Sequence, residues 1–209
     1  MRLALIRFAD ERRRDGVRGP DGELSDFLYR WYLVGWLNPG TVMASEPSET
    51  WPERTLLALK REYVQGFDRL LGLAQRELRI FDADLSELVI DTPHRIDLMR
   101  RFLLESRSNR VYIALHDIEF VRTNCPRLIT LLGTFSGMLS IHGVHGDAAR
   151  VQDCFVLCDA VHVIRRPVRS QARGVLLLND FKEAHAMRER FNEIWESSVP
   201  SVSANTVGL

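Results

Sequence analysis

Val111-Tyr112-Ile113-Ala114-Leu115-His116-Asp117, residues 111–117, decides the fold. The first five positions are apolar without alternation, which is the pattern of a central strand covered on both faces. A polar pair follows directly, where such a strand ends. Upstream, Thr92-Pro93 opens a helix with proline at its first position and Ile96, Met99 and Leu103 facing inward. Before it, residues 78–81 (LRIF) read as a short strand. Residues 62–76 carry Tyr63, Phe67, Leu70, Leu71 and Ala74 at helical steps of three and four.

The same alternation continues downstream. Pro126 opens a helix marked by Leu128, Leu131, Leu132 and Phe135, and residues 139–142 form a strand. Three strand-like runs then follow without a helical break, at 155–157, 161–164 and 175–178. The last helix is capped by Asn179-Asp180, with Glu183 where a capping-box carboxylate belongs. Its apolar stripe is Ala184, Met187, Phe191, Ile194 and Trp195, and Ser197, Ser198 and Pro200 close it. The order predicts an α/β domain, a mixed β-sheet flanked by helices.

The chain has 209 residues, 45% of them apolar, with 28 basic side chains against 28 acidic, so its formal charge is zero. That length suits one domain with an appendage and needs no metal or disulfide to fold. Zero net charge argues against a specific nucleic-acid surface or a dedicated anionic-membrane binder. Lysine occurs only at Lys60 and Lys182, so arginine, the better fork for phosphate and carboxylate, supplies nearly all the positive charge. Three cysteines, Cys125, Cys154 and Cys158, fit a reducing cytoplasmic setting. No apolar run reaches the ~20 residues of a membrane span. Glycine and proline are about twice as dense in residues 1–50 as beyond them. We therefore expect a partly flexible N-terminal extension over 1–50 with an apolar helical segment at 24–37, the domain itself over 55–200, and a flexible tail at 201–209.

His116-Asp117 is the best-placed polar pair, because ligand contacts in α/β sheets gather beyond the carboxyl ends of strands. Asp82 and Asp84 follow the preceding strand and belong to the same rim. Against that stands the ordinary use of Asp as a loop and helix cap. Arg165, Arg166, Arg169 and Arg173 cluster around a hairpin and could hold an anion, or remain a solvated loop neutralised by Asp153, Asp159 and Asp180. His142, His145, Cys154 and Cys158 suggest zinc, but two cysteines four residues apart on one strand are about 13 Å apart. Neither shared coordination nor a disulfide bridges that gap, so no metal and no cofactor are expected.

From Arg76-Glu77-Leu78-Arg79-Ile80-Phe81-Asp82 to Phe191-Asn192-Glu193-Ile194-Trp195-Glu196 the chain resembles one half of a phospholipase D-like protein. His116-Asp117, Cys125-Pro126-Arg127-Leu128, Phe155-Val156-Leu157-Cys158-Asp159 and the run from Arg190 to Trp195 carry a closer likeness. They resemble an uncharacterised bacterial family of phospholipase D-like domains of unknown function, whose members sometimes accompany acetyltransferase domains. The superfamily's chemistry rests on His-x-Lys-x4-Asp, in which His attacks phosphorus and Lys holds the phosphate oxygens. Aligned on Asp159, this chain reads Gln152-x-Cys154-x4-Asp159. Gln is no useful nucleophile and Cys supplies no fixed positive charge. The Gly-Ser-x-Asn that follows in the superfamily falls at Arg166-Pro167 and is missing.

The resemblance implies a twofold homodimer, because superfamily sites lie between two such halves. The expectation is a non-catalytic phospholipase D-like domain, without catalytic residues, that binds a small anionic ligand or a partner. Its candidate ligand residues are His116, Asp117, Arg165, Arg166, Asp159 and His162. The alternative is a divergent phosphodiesterase using His116 or His162. A third reading is an assembly module that docks through the 24–37 segment.

Overall fold

A computed structural model describes residues 51–202 of the chain. The expected extension 1–50, its apolar segment 24–37 and positions 203–209 of the expected tail lie outside the described residues. The strands are β1 (Glu53–Leu57), β2 (Glu77–Asp82), β3 (Arg110–Leu115), β4 (Leu139–Val144), β5 (Cys154–Cys158), β6 (His162–Arg166), β7 (Gly174–Leu178) and β8 (Ser198–Pro200). The helices are α1 (Lys60–Leu73), α2 (Pro93–Glu105), α3 (Glu119–Asn124), α4 (Pro126–Thr134) and α5 (Phe181–Glu196), with a short 3-10 turn at Gly146–Arg150.

One sheet in the order β1-β7-β6-β5-β2-β3-β4-β8 holds these strands together. Strands β2, β3 and β4 are parallel, while β5, β6, β7 and β1 form an antiparallel run. The two halves join where β5 pairs antiparallel with β2. All five residues of β5 are buried, as expected of a central strand covered on both faces. Strand alternation divides the core in two. Leu78, Ile80, Val111, Ile113, Val156 and Ile164 pack with the inner faces of α1, α2 and α4. Phe81, Ala114, Phe155, Leu157, Val163 and Leu177 pack with Ala184, Met187, Phe191 and Ile194 of α5.

Local chemistry explains the helix starts. The Thr92 hydroxyl accepts from Arg95 N (3.4 Å) before Pro93, and an Asp180 oxygen accepts from Glu183 N (3.1 Å). On α1 the Glu62 carboxylate accepts from Ala58 N (2.8 Å) and Leu59 N (3.1 Å), satisfying donors in front of the first turn. Gly66 faces β6 so closely that a Cβ there would collide with the Ile164 side chain. Arg95, nearly buried, grips Asp68 with Nε (2.6 Å) and Nη2 (2.9 Å), and donates Nη1 to the carbonyls of Leu88 and Val89. It thereby ties α1, α2 and the loop before α2 to one another.

Three elements depart from the sequence expectation. Residues 53 and 54 were expected to precede the domain, yet they begin β1, an edge strand paired with β7. Residues Ser198 and Pro200 do more than end the last helix: they form β8 beside β4, and Ser201 continues the contact by donating its N–H to Ile141 O (3.2 Å). The structured chain therefore extends past 200. Helix α3 has a single buried residue, Val121, too little apolar signal to read as a helix.

Asp159 locks the joint between the two halves. Its carboxylate accepts from Gln75 N (2.7 Å), Arg76 N (2.7 Å) and Glu77 N (2.8 Å), and its own N–H donates to Glu77 O (3.0 Å). Asp159→Ala should therefore lower unfolding free energy by about 2–3 kcal/mol, since three charge-assisted bonds disappear together. Urea denaturation checks this, and a loss within the error of the measurement would remove Asp159 from that role.

Candidate functional site

The candidate residues fall at opposite ends of the sheet. Because β5 and β6 run antiparallel, Cys154 pairs with Arg166 and Phe155 with Arg165 at one end, while Cys158 pairs with His162 at the other. The five residues of β5 separate these ends by about 13 Å. His116, Asp117, Arg165 and Arg166 share the end where β2 and β3 finish. Asp159 and His162 lie at the amino end of β2, so no one ligand of ordinary size reaches all six. His162 Nδ1 accepts from Asn179 N (3.1 Å) there, a bond that holds the turn before α5.

Alternation splits the remaining four again. Neighbouring residues of a strand point to opposite faces, so Arg165 and Arg166 do not form a double clamp. Arg166 turns to the α1 side, where it is buried over the Tyr63 ring (4.6 Å to the centroid) and bonded to Glu87. Burial works against the Glu87 carboxylate, but Lys60 at 2.6 Å and Arg166 outweigh it and hold its carboxyl below the ordinary value. Asp82 is buried on this same side. Burial pushes its carboxyl up, against the backbone donor of Leu85 and the charge of Arg166, and its Oδ2 has no hydrogen-bond partner among the described residues. Cys154 adjoins this cluster with its thiol pushed up to about 12 by burial.

The α5 side of the rim is arranged differently. Asp153, 3% exposed, sits between Arg190 (2.9 Å) and Arg165 (3.5 Å). The His116 ring packs tilted against Phe81 with centroids 5.0 Å apart, Phe81 packs on Phe155 (5.5 Å), and Phe155 on Phe191 (6.3 Å), an aromatic wall. The His116 N–H of the main chain donates to Asp82 O (3.3 Å), but its side-chain Nε2 is buried without a hydrogen-bond partner among the described residues. Burial first, and the Arg169 charge second, lower its pKa, against the Ala149 carbonyl and Asp153. Arg169 is held close by its backbone, which donates to Gln152 O (2.7 Å). The result is a rim with Arg165, Arg169 and Arg190 around a single buried carboxylate and an imidazole whose Nε2 has no hydrogen-bond partner among the described residues.

Several acidic side chains serve the backbone. Asp117 Oδ1 accepts from Glu119 N (2.8 Å) in front of α3, and Asp82 Oδ1 accepts from Asp84 N (3.3 Å) and Leu85 N (3.1 Å). Asp84 Oδ1 takes the Ser86 N–H (2.9 Å) and hydroxyl (2.6 Å). The sequence reading missed Arg190 and Glu87 as charge partners. Arg190 carried a usable signal, since it precedes Phe191 on the stripe that faces the sheet. Glu87 carried none, because a partner 79 residues from Arg166 leaves no local trace. His142, weighed and set aside as a zinc ligand, stacks on Trp195 (3.8 Å) and shares a hydrogen bond with Ser198 Oγ (2.9 Å). No group of three metal-ligating side chains occurs among the described residues, and none of their helices is long and apolar enough to cross a membrane.

Comparison with known proteins bears on the fold. Residues 60–206 match a family model described as "Domain of unknown function (DUF7931)". No curated protein matches the chain. Among solved structures, TrmBL2, an archaeal chromatin protein with a novel mode of DNA binding, is similar with a TM-score of 0.54 at 16% identity, over 95% of this chain and 69% of that one. Nuc from Salmonella typhimurium, a phospholipase D family member, is similar with a TM-score of 0.49 at 14% identity, over 73% of this chain and all (100%) of Nuc. NucT from Helicobacter pylori gives 0.44 at 15%, over 72% and 100% respectively. The chain's own strands and helices form the expected α/β sheet flanked by helices, and phospholipase D family members are among the proteins to which it is similar.

Two outcomes follow from the burial of titratable groups. Cys125, at about 11, and Cys154 and Cys158, pushed higher, are all free and buried, so a thiol reagent should label none of them rapidly in the native protein and all three after denaturation. Rapid native labelling would contradict this packing. Burial also lowers the pKa values of His116, His142 and His162 below the ordinary imidazole value of 6.5. The unfolded chain then binds more protons than the folded one as pH drops below that value, so stability is present above it and lost beneath it. Melting temperature should fall from about pH 7.5 to about pH 5.5, and a flat profile would overturn the assignment.

Proposed function

As the chain belongs to the DUF7931 family, a domain of unknown function, we propose from its own residues that it is a non-catalytic phospholipase D-like module that binds an anionic group at the His116 rim. The observation that carries this reading is His116 Nε2, buried without a partner among the described residues, where Arg165, Arg169 and Arg190 outnumber Asp153. A buried polar atom left unpaired costs free energy that a ligand would recover. An anion there would accept from the guanidiniums and favour the imidazolium, drawing a second donor from His116.

The absence of catalysis rests on the motif itself. The position that the resemblance gives to the phosphate-holding Lys is Cys154, whose buried thiol, at about 12, stays neutral. Gln152 replaces the nucleophile, and Asp159 spends its carboxylate on three backbone donors. A second reading, a divergent phosphodiesterase with His116 as nucleophile, draws on the same depressed pKa, which keeps the imidazole neutral near pH 7. The resemblance further suggests a twofold homodimer that closes this rim against a second copy, and light scattering on the full chain measures that state.

Thermal melts with inorganic phosphate and pyrophosphate test the binding reading. At concentrations of about a hundred times Kd the melting temperature should rise by about 5 °C or more. His116→Gln and Arg169→Gln should each reduce that rise, and His116→Gln should also remove the strengthening seen as pH falls. A rise that neither substitution changes would sink the rim as the site. Bis(p-nitrophenyl) phosphate separates the readings of catalysis: turnover abolished by His116→Ala would establish the phosphodiesterase and overturn the non-catalytic one.

A further inference from the structure

A second basic cleft lies at the amino ends of β2 and β3, the opposite end of the strands from His116. Arg76, Glu77, Ser108, Arg110, Asp159 and Arg188 line about 290 Å³ of space there. Three guanidiniums face two carboxylates, and both carboxylates already have other work. Asp159 accepts the three N–H groups that lock the joint, and Glu77 Oε2 accepts from Arg79 (3.1 Å). Among the described residues Arg76 has no carboxylate within 4.0 Å, and Arg188 reaches only Glu77 Oε1, at 3.9 Å. Arg110 is bonded through Nη1 to two neutral acceptors, the carbonyls of Arg107 (2.7 Å) and Asn109 (2.8 Å). Those bonds orient its guanidinium without neutralising it.

Glu77 Oε1 adds a second requirement, because it is buried and lacks a hydrogen-bond donor among the described residues. An occupant must therefore bring both negative charge for the arginines and a donor for this oxygen. A bare inorganic anion supplies only the first. We propose that this cleft binds a small phosphomonoester that carries a hydroxyl beside its phosphate. The phosphate lies on Arg76, Arg110 and Arg188, whose planar forks match its oxygens. The hydroxyl donates to Glu77 Oε1. The volume stands at the lower bound of ligand pockets, roughly 300–1,000 Å³, which suits a single phosphorylated sugar or nucleoside and excludes a dinucleotide. Nothing in this assignment depends on the His116 rim.

Isothermal titration of the full chain with ribose 5-phosphate, AMP, inorganic phosphate and unphosphorylated ribose tests it. Ribose 5-phosphate or AMP should bind more tightly than inorganic phosphate, and ribose should not bind. Whichever of the two is tighter identifies the source as a sugar phosphate or a nucleotide. Arg76→Gln and Arg110→Gln should each weaken that binding by about ten-fold or more, as expected for loss of a charge-assisted contact. Arg100→Gln, on the exposed surface of α2, should leave it unchanged. If Arg110→Gln fails to fold, Arg76→Gln and Arg188→Gln carry the test, both being exposed side chains. Equal affinity for inorganic phosphate and both phosphomonoesters, no saturable binding, or binding insensitive to the cleft substitutions would overturn the proposal. So would binding abolished by Arg169→Gln, which would put the anion at the other end of the sheet.

Discussion

The ladder between β2 and β5 is the constraint on which the rest of the domain depends. β2 has a parallel neighbour on one side and an antiparallel neighbour on the other, so it must satisfy two hydrogen-bond geometries at once. Asp159 meets that demand from the end of β5. Its backbone and carboxylate together engage residues 75–77, just as β2 begins. Asp159 and Ala160 turn the chain with φ of 54° and 53°, a region that Asp tolerates better than most residues. A slip of one residue in this register would invert both faces of the sheet, moving Phe81 and Phe155 away from α5.

That register also determines what the rim can do. Arg165 and Arg166 are adjacent in the chain but separated by the sheet, one with Asp153 and Arg190, the other with Glu87 and Tyr63. Arg166 stands beside Cys154 on the α1 side, in a buried cluster whose charges are largely matched. The surplus positive charge sits on the α5 side instead, next to an imidazole with an unfilled hydrogen-bonding position.

Arginine shapes both ends of the sheet. Arg95, Arg165, Arg166 and Arg190 are each tied to a carboxylate, where the planar fork helps to hold separate elements together. Arg76 and Arg110 are not so tied among the described residues, although the chain as a whole has zero formal charge. Neutral composition therefore conceals local surplus: balance over the full length says nothing about where individual guanidiniums lack partners.

The elements with strong periodicity were legible because their signal is local. The continuous run at 111–115, the stripe of α5 and the Thr92-Pro93 start each carry their own pattern within a dozen residues. β1 was not legible, since Leu57 is its only buried residue, and β8 has three residues with none buried. The strand-end position of His116 was also readable, because it follows from the strand before it. Its chemical setting was not, for Asp153, Arg169 and Ala149 come from other segments.

By itself, then, the sequence determined the α/β class and most of the helices and strands. Only the tertiary structure decided that six candidate residues occupy two ends and two faces. The physical reason is that period and residue type are properties of neighbouring positions. Which carboxylate neutralises which guanidinium depends on strand order and register, which bring Glu87 to Arg166 and Gln75 to Asp159 across 79 and 84 positions of chain.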